Sequence, residues 1–119
     1  MTENYPDFYA EFRRRMAKLN RAIPDTMKSF GALHAATMSQ KGALDRKTRE
    51  LIAVAIGISV RCDGCIASHV RAALGAGATR EEILDTIGVA VFMGGGPATV
   101  YGAEALQAVE EFEQLVTPA

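Results

Sequence analysis

Apolar side chains recur every three or four residues along most of the chain, the period of a helix with one face turned inward. Phe8, Phe12, Met16 and Leu19 form the first such stripe, and Tyr5-Pro6 suits its start, so a helix is expected over roughly residues 6 to 22. Pro24 opens a second helix with Met27, Phe30, His34 and Met38 on one face, stopping near Gly42. Asp45 suits the N-cap of a third. Its apolar positions are Ile52, Ala53, Ile56 and Val60, with Leu51, Val54 and Ala55 filling in around the helix, which predicts burial on most sides. The fourth helix begins in Cys62-Asp63-Gly64-Cys65, carries Ile66, Val70 and Leu74, and ends at Gly75 or Gly77. Thr79 and Glu82 spell a capping box for a fifth. Ile83, Ile87 and Val91, with Val89 and Phe92, are its packing positions, and Gly94-Gly95-Gly96-Pro97 breaks it. A last helix, about 98 to 115, carries Val100, Leu106, Val109 and Phe112, with Glu104, Glu110, Glu111 and Glu113 outside.

No stretch alternates with period two between turn residues, so the fold class is all-α, a six-helix domain. A chain of 119 residues supports one core, and residues 1–119 are expected to form a single domain. The formal charge of −1 argues against an electrostatic nucleic-acid binder. The longest uncharged apolar run, Leu51 to Val60, is half the ~20 residues of a membrane span. The N-terminal stretch has no apolar signal core, so a cytoplasmic protein with no membrane partner is expected. Arg13, Arg14 and Arg15 read as a solvated face or subunit rim, and His34 as a core or interface histidine. The triple glycine reads as a tight helix–helix turn, because no strand precedes it and no Gly-Lys-Ser/Thr follows.

The chemistry gathers around the chain's two cysteines, Cys62 and Cys65. Residues three apart on a helix lie roughly 5–6 Å from one another, inside the Cα window of roughly 4.4–6.8 Å that a disulfide tolerates. His69 sits one turn beyond Cys65 on the same face. In a reducing compartment such a pair is catalytic, redox-sensing or metal-binding more often than structural. A thiolate at a helix N-terminus is favoured by the macrodipole, with Arg61 adding positive charge and Asp63 offsetting it. Attack on a peroxide yields a sulfenic acid that the neighbouring thiol condenses with, and His69 is the residue type to move the protons. Glu50 opens an apolar run where a lone carboxylate is costly to bury, and beside His69 it would orient the ring. On one straight helix Glu50 and Cys62 would be ~18 Å apart, so this arrangement requires the chain to turn between Ser59 and Cys62. Other readings are a zinc site built from Cys62, Cys65, His69 and Glu50, an oligomeric scaffold with a regulatory dithiol, and two small buried hydrophobes.

The spacing Glu50-x11-Cys62-x-x-Cys65-x3-His69 resembles the signature of the AhpD-like alkylhydroperoxidases of the carboxymuconolactone decarboxylase family. The segments GALDRKTRELIAVAIGISVRCDGCIASHVRAAL, GATREEI and VAVFMGGGPATVYGAEAL are similar to that family too, and the likeness spans roughly Phe30 to Ala108. The resemblance implies an all-helical homo-oligomer, trimer or hexamer, with the site near subunit contacts. It also implies a peroxidase needing no cofactor, acting on a peroxide substrate and re-reduced by an external dithiol. By that likeness Cys65 attacks the peroxide, Cys62 resolves and exchanges with the reductant, and Glu50 and His69 form the proton relay. A general thiol–disulfide oxidoreductase is the near alternative. Where the alkylhydroperoxidases often carry a second histidine just before the second cysteine, this chain has Gly64. Decarboxylases of the family typically lack the Cys-x-x-Cys, which disfavours lactone decarboxylation.

Overall fold

A computed structural model describes residues 4–39 and 41–116. Among them are α1 (Tyr5–Ala22), α2 (Pro24–Thr37), α3 (Arg46–Ser59), α4 (Asp63–Gly75), α5 (Arg80–Gly94) and α6 (Gly96–Val116), and no strand. The expected domain span of 1–119 therefore reaches past the described residues at both ends.

The helix starts follow the local chemistry. The Asn4 side chain accepts the Asp7 N–H at 2.8 Å to cap α1, and the Asp45 carboxylate accepts the Thr48 N–H at 2.8 Å to cap α3. At α5 the capping box is complete, with Thr79 Oγ1 accepting from the Glu82 N–H and Glu82 accepting from the Thr79 N–H. One helix end differs from expectation. α2 stops at Thr37 rather than near Gly42, because Arg49 reaches back from α3 and donates to the Thr37 and Lys41 carbonyls. These bonds satisfy oxygens that further helix would otherwise have satisfied. Gly42 lies at φ +111°, and a Cβ there would stand 2.6 Å from the Arg49 guanidinium.

α3, α4, α5 and α6 form the packed body of the molecule, and α1 lies across α4 and α6. The core holds Val54 and Ile58 of α3, Ile66, Ala67 and Val70 of α4, Ile83 and Ala90 of α5, and Ala105, Ala108 and Val109 of α6. α1 seals one end with aromatic rings. Tyr5, only 1 % exposed, stacks edge-on with Phe8, and Tyr9 packs edge-on against Phe112 with the Arg71 guanidinium 5.0 Å from its ring centre. α1 therefore turns Tyr5 and Tyr9 inward with Phe8 and Phe12, while Leu19 is exposed. Arg13, Arg14 and Arg15 are exposed as expected, the last two paired with Glu11.

Several apolar positions expected to pack are open in this chain. Ile52 and Ile56 of α3, Val60 just after it, Val89 and Phe92 of α5, and Val100 of α6 are all exposed, Phe92 by 83 %. α3 is buried along the line of Glu50, Val54, Gly57 and Ile58 and bare on its other side. α2 packs on α1 and leaves Phe30 and His34 in the open, so His34 is not a core histidine within the chain. Glu104, expected outside, is partly buried with Oε2 wholly so. Among the described residues no helix is long and apolar enough to cross a membrane.

Candidate active site

The turn that the Glu50–Cys62 separation demands is present, and its hydrogen bonds are those of a Schellman end. The Cys62 N–H donates to the Gly57 carbonyl at 3.0 Å and the Arg61 N–H to the Ile58 carbonyl at 3.2 Å. Such an end places its last residue in the left-handed region, where Arg61 sits at φ +60°. Glycine fills the same role after α4, at Gly77 with φ +95°. Cys62 is thus held twice. It closes α3 through its N–H and caps α4 through Sγ, which accepts the Cys65 N–H at 3.2 Å.

Cys62 and Cys65 form a disulfide across the first turn of α4, with Cα atoms 5.2 Å apart. Cys65 comes close to α3 because Gly57 has no side chain: a Cβ there would lie 3.2 Å from that of Cys65. The reversal of the chain brings the middle of α4 alongside the start of α3. His69 Nδ1 and Glu50 Oε1 meet at 2.7 Å, the carboxylate only 2 % exposed and the imidazole 23 %. With Glu50 accepting from Nδ1–H, Nε2 is left as the proton-accepting nitrogen. The carboxylate that is expensive to bury has the partner that makes its burial tolerable.

The structure therefore brings Glu50 to His69 and Cys62 to Cys65, and puts Cys65 and His69 one turn apart on α4. Zinc ligation finds no such support, because no three His, Cys, Asp or Glu side chains converge as metal ligands among the described residues. Gly64 is filled from outside: a Cβ on it would sit 3.3 Å from the Phe12 ring of α1. A histidine in that place would have to displace the α1 aromatic layer.

The geometry also joins residues that were read apart. On the face of α4 opposite Cys65 and His69, the Asp63 carboxyl lies beside Glu104 from α6, with the Tyr5 hydroxyl of α1 buried nearby. Burial first, and then Asp63, raises the Glu104 carboxyl to about 7. Burial and these two carboxylates push the Tyr5 hydroxyl up as well. Glu104 sits one turn before Ala108 and next to Ala105, both on the buried face of α6, and that phase was its only signal in the sequence. Gly57 gave none, because a glycine within an apolar run does not disclose which helix approaches it.

The profile of the carboxymuconolactone decarboxylase family matches residues 24–108, which include the whole Glu50–His69 constellation. The chain belongs to the carboxymuconolactone decarboxylase family. A carboxymuconolactone decarboxylase family protein of Legionella pneumophila has the same fold with a TM-score of 0.86 and 44% identity, over 91% of this chain and 96% of that one. A family protein of Thermotoga maritima, for which a part in an antioxidative response has been suggested, matches with a TM-score of 0.79 and 30% identity over 91% and 92% of the two chains. An uncharacterized Cupriavidus necator protein is 37% identical over 107 residues, 89% of this chain and 93% of its own length. Family membership accounts for the all-α, six-helix architecture and leaves the reaction to be argued from the site.

Proposed function

We propose that this member of the carboxymuconolactone decarboxylase family is a thiol-dependent hydroperoxidase. The observation that carries the reading is the disulfide across the first turn of α4, with a buried Glu50–His69 pair one turn further on. In the reduced protein His69 Nε2 takes the proton of the Cys65 thiol, and Glu50 steadies the imidazolium so formed. The thiolate attacks the nearer peroxide oxygen and the O–O bond breaks. The departing alkoxide or hydroxide takes the proton from His69 and leaves as alcohol or water, with Cys65 now a sulfenic acid. The Cys62 thiol then attacks the Cys65 sulfur, water leaves, and the disulfide closes. An external dithiol attacks Cys62, and a second exchange returns both thiols, so the sum is one peroxide reduced for one dithiol oxidised. We assign this cycle to the reducing cytoplasm, where such a dithiol is at hand.

The second reading is a general thiol–disulfide oxidoreductase. The observation that favours it is Phe12 against Gly64, which leaves His69 without the additional histidine frequent in alkylhydroperoxidases. The two readings part in one experiment. Reduced protein is mixed with a stoichiometric peroxide, and free thiols and intact mass are followed over seconds. Loss of both thiols with a two-hydrogen mass decrease, abolished in Cys65→Ser, is the expected result. Thiols that persist against peroxide but exchange quickly with a small disulfide would move the assignment to the oxidoreductase. Thiols inert to both would leave a scaffold with a regulatory dithiol.

A further inference from the structure

We propose that Glu104 is a positioning residue that shares one proton with Asp63 behind the Cys-x-x-Cys, and so sets the charge met by a thiolate at the α4 N-terminus. The inference rests on the dithiol reading above but not on the choice of peroxide as substrate. Its basis is geometric. Asp63 is the first residue of α4, between the two cysteines, and its carboxyl acts on Glu104 of α6 while Cys65 faces α3 across Gly57. The Asp63 carboxyl lies beside the Glu104 carboxyl. Two carboxyl groups in contact bond only if one of them carries a proton, since both are acceptors when ionised. Asp63 Oδ1 and Glu104 Oε2 are each buried with no hydrogen-bond donor among the described residues.

A second observation points into the same spot. The Tyr5 hydroxyl, on a residue 1 % exposed, is also buried without a partner, and Glu104 and Asp63 are the charges that act on it most. A buried phenol facing carboxyls is a donor set to stabilise one negative charge there, and the environment is unsuited to two. Among the described residues the titratable groups around Glu104 are Asp63 from α4 and Tyr5 from α1, and Tyr5 is in turn acted on by Glu111 and Tyr101 of α6. The one positive charge acting on Glu104 is the N-terminal amino group, which lowers its carboxyl by less than burial and Asp63 raise it. The raised titration of Glu104, near neutrality, is consistent with this arrangement.

The consequence for the dithiol follows from charge. A thiolate at Cys62 or Cys65 uses the positive end of α4. Asp63 and Glu104 flank the same turn, so the pair with its proton presents one negative charge to the thiolate and without it two. Linkage makes the coupling reciprocal: a thiolate at that turn strengthens the hold of the pair on its proton. Glu50–His69 on one side of α4 and Asp63–Glu104 on the other are then two proton-holding pairs on opposite flanks of one dithiol.

The test uses the full-length reduced protein and the rate of alkylation by iodoacetamide from pH 5.5 to 9, resolved by intact mass. Wild type should show thiolate reactivity that climbs less steeply above about pH 7, where the pair loses its proton. Glu104→Gln keeps a single charge and should lack that flattening, reacting about threefold faster at pH 8.5, as one fewer nearby negative charge implies. Asp63→Asn should lose the flattening too, while exposed Asp85→Asn serves as control and should match wild type. Superimposable profiles for wild type, Glu104→Gln and Asp63→Asn, with native circular dichroism in all three, would overturn the inference. Altered profiles in a protein inert to peroxide would uphold it while removing the hydroperoxidase reading. A purely structural role for Glu104 would shift the melting temperature and leave the profile of the folded protein unmoved.

Discussion

Glu50 shows how a single residue carries a functional argument. A carboxylate at the start of an apolar run is a liability unless something buried answers it, and His69, nineteen residues later, does so at 2.7 Å. Glu50→Gln keeps the shape and a hydrogen bond to the ring but removes the charge that favours the imidazolium. Turnover with peroxide should fall about 100-fold, with a changed pH profile and a melting temperature close to wild type; a variant that melts early and keeps its pH profile would assign Glu50 a structural role instead. Glu104 carries a prediction of a different kind. Burial, then Asp63, lifts its carboxyl from the ordinary 4.5 to about 7. Between those values the folded protein binds a proton that the unfolded chain has released. The stability tied to it is complete below about pH 4.5 and lost as pH rises through about 7. The melting temperature should therefore fall from pH 5 to 8 in wild type and fall less in Glu104→Gln, and equal slopes would remove the carboxyl pair from the account. The spacing of Glu50 and His69 anticipates the first pairing, whereas the second is hidden in the one-dimensional pattern, where Glu104 is one of several acids on the last helix.

At the scale of elements, the α3–α4 junction makes the site, and it depends on two positions that sequence spacing alone does not explain. Gly57 lets the first turn of α4 come within 3.2 Å of where its own Cβ would be, and Arg61 takes the left-handed conformation of a helix end at φ +60°. Opposite signs are expected when these positions are changed. Gly57→Ala adds a methyl against Cys65 and should destabilise the protein by about 1–3 kcal/mol. Arg61→Gly removes the left-handed cost of about 1–2 kcal/mol, set against the greater chain entropy of glycine, for a net gain of about 0.5 kcal/mol. Urea unfolding midpoints of the two variants check both signs, and a destabilised Arg61→Gly would show that the arginine side chain contributes what its backbone costs. Helix starts were easier to read, because the residues that cap α1, α3 and α5 lie within four positions of what they bond. The end of α2 was not, since the group that stops it is Arg49, twelve residues away on another helix.

For the whole molecule, the open apolar side chains of α2, α3, α5 and α6 are the main feature that a single chain does not account for. We propose that Phe30, Ile56, Val60, Phe92 and Val100 are covered by further copies in a homo-oligomer, a trimer or hexamer, as apolar surface on this scale favours self-association. Light scattering at micromolar concentration should give a multiple of the chain mass, and Phe92→Glu should reduce it; a wild-type monomer would refute the assembly. The sequence by itself determined the helices, their caps, the spacing of Glu50, Cys62, Cys65 and His69, and the family those residues resemble. All of these depend on contacts a few residues apart or on a pattern of fixed spacing. Only the tertiary structure decided which apolar positions are inside, that the turn at Arg61 carries Glu50 onto His69, that Phe12 occupies the space beside Gly64, and that Asp63, Glu104 and Tyr5 meet behind the thiols. Helical periodicity tells which residues share a face, but what lies against that face depends on how separate helices pack, and this is set by close approaches such as those at Gly57 and Gly64.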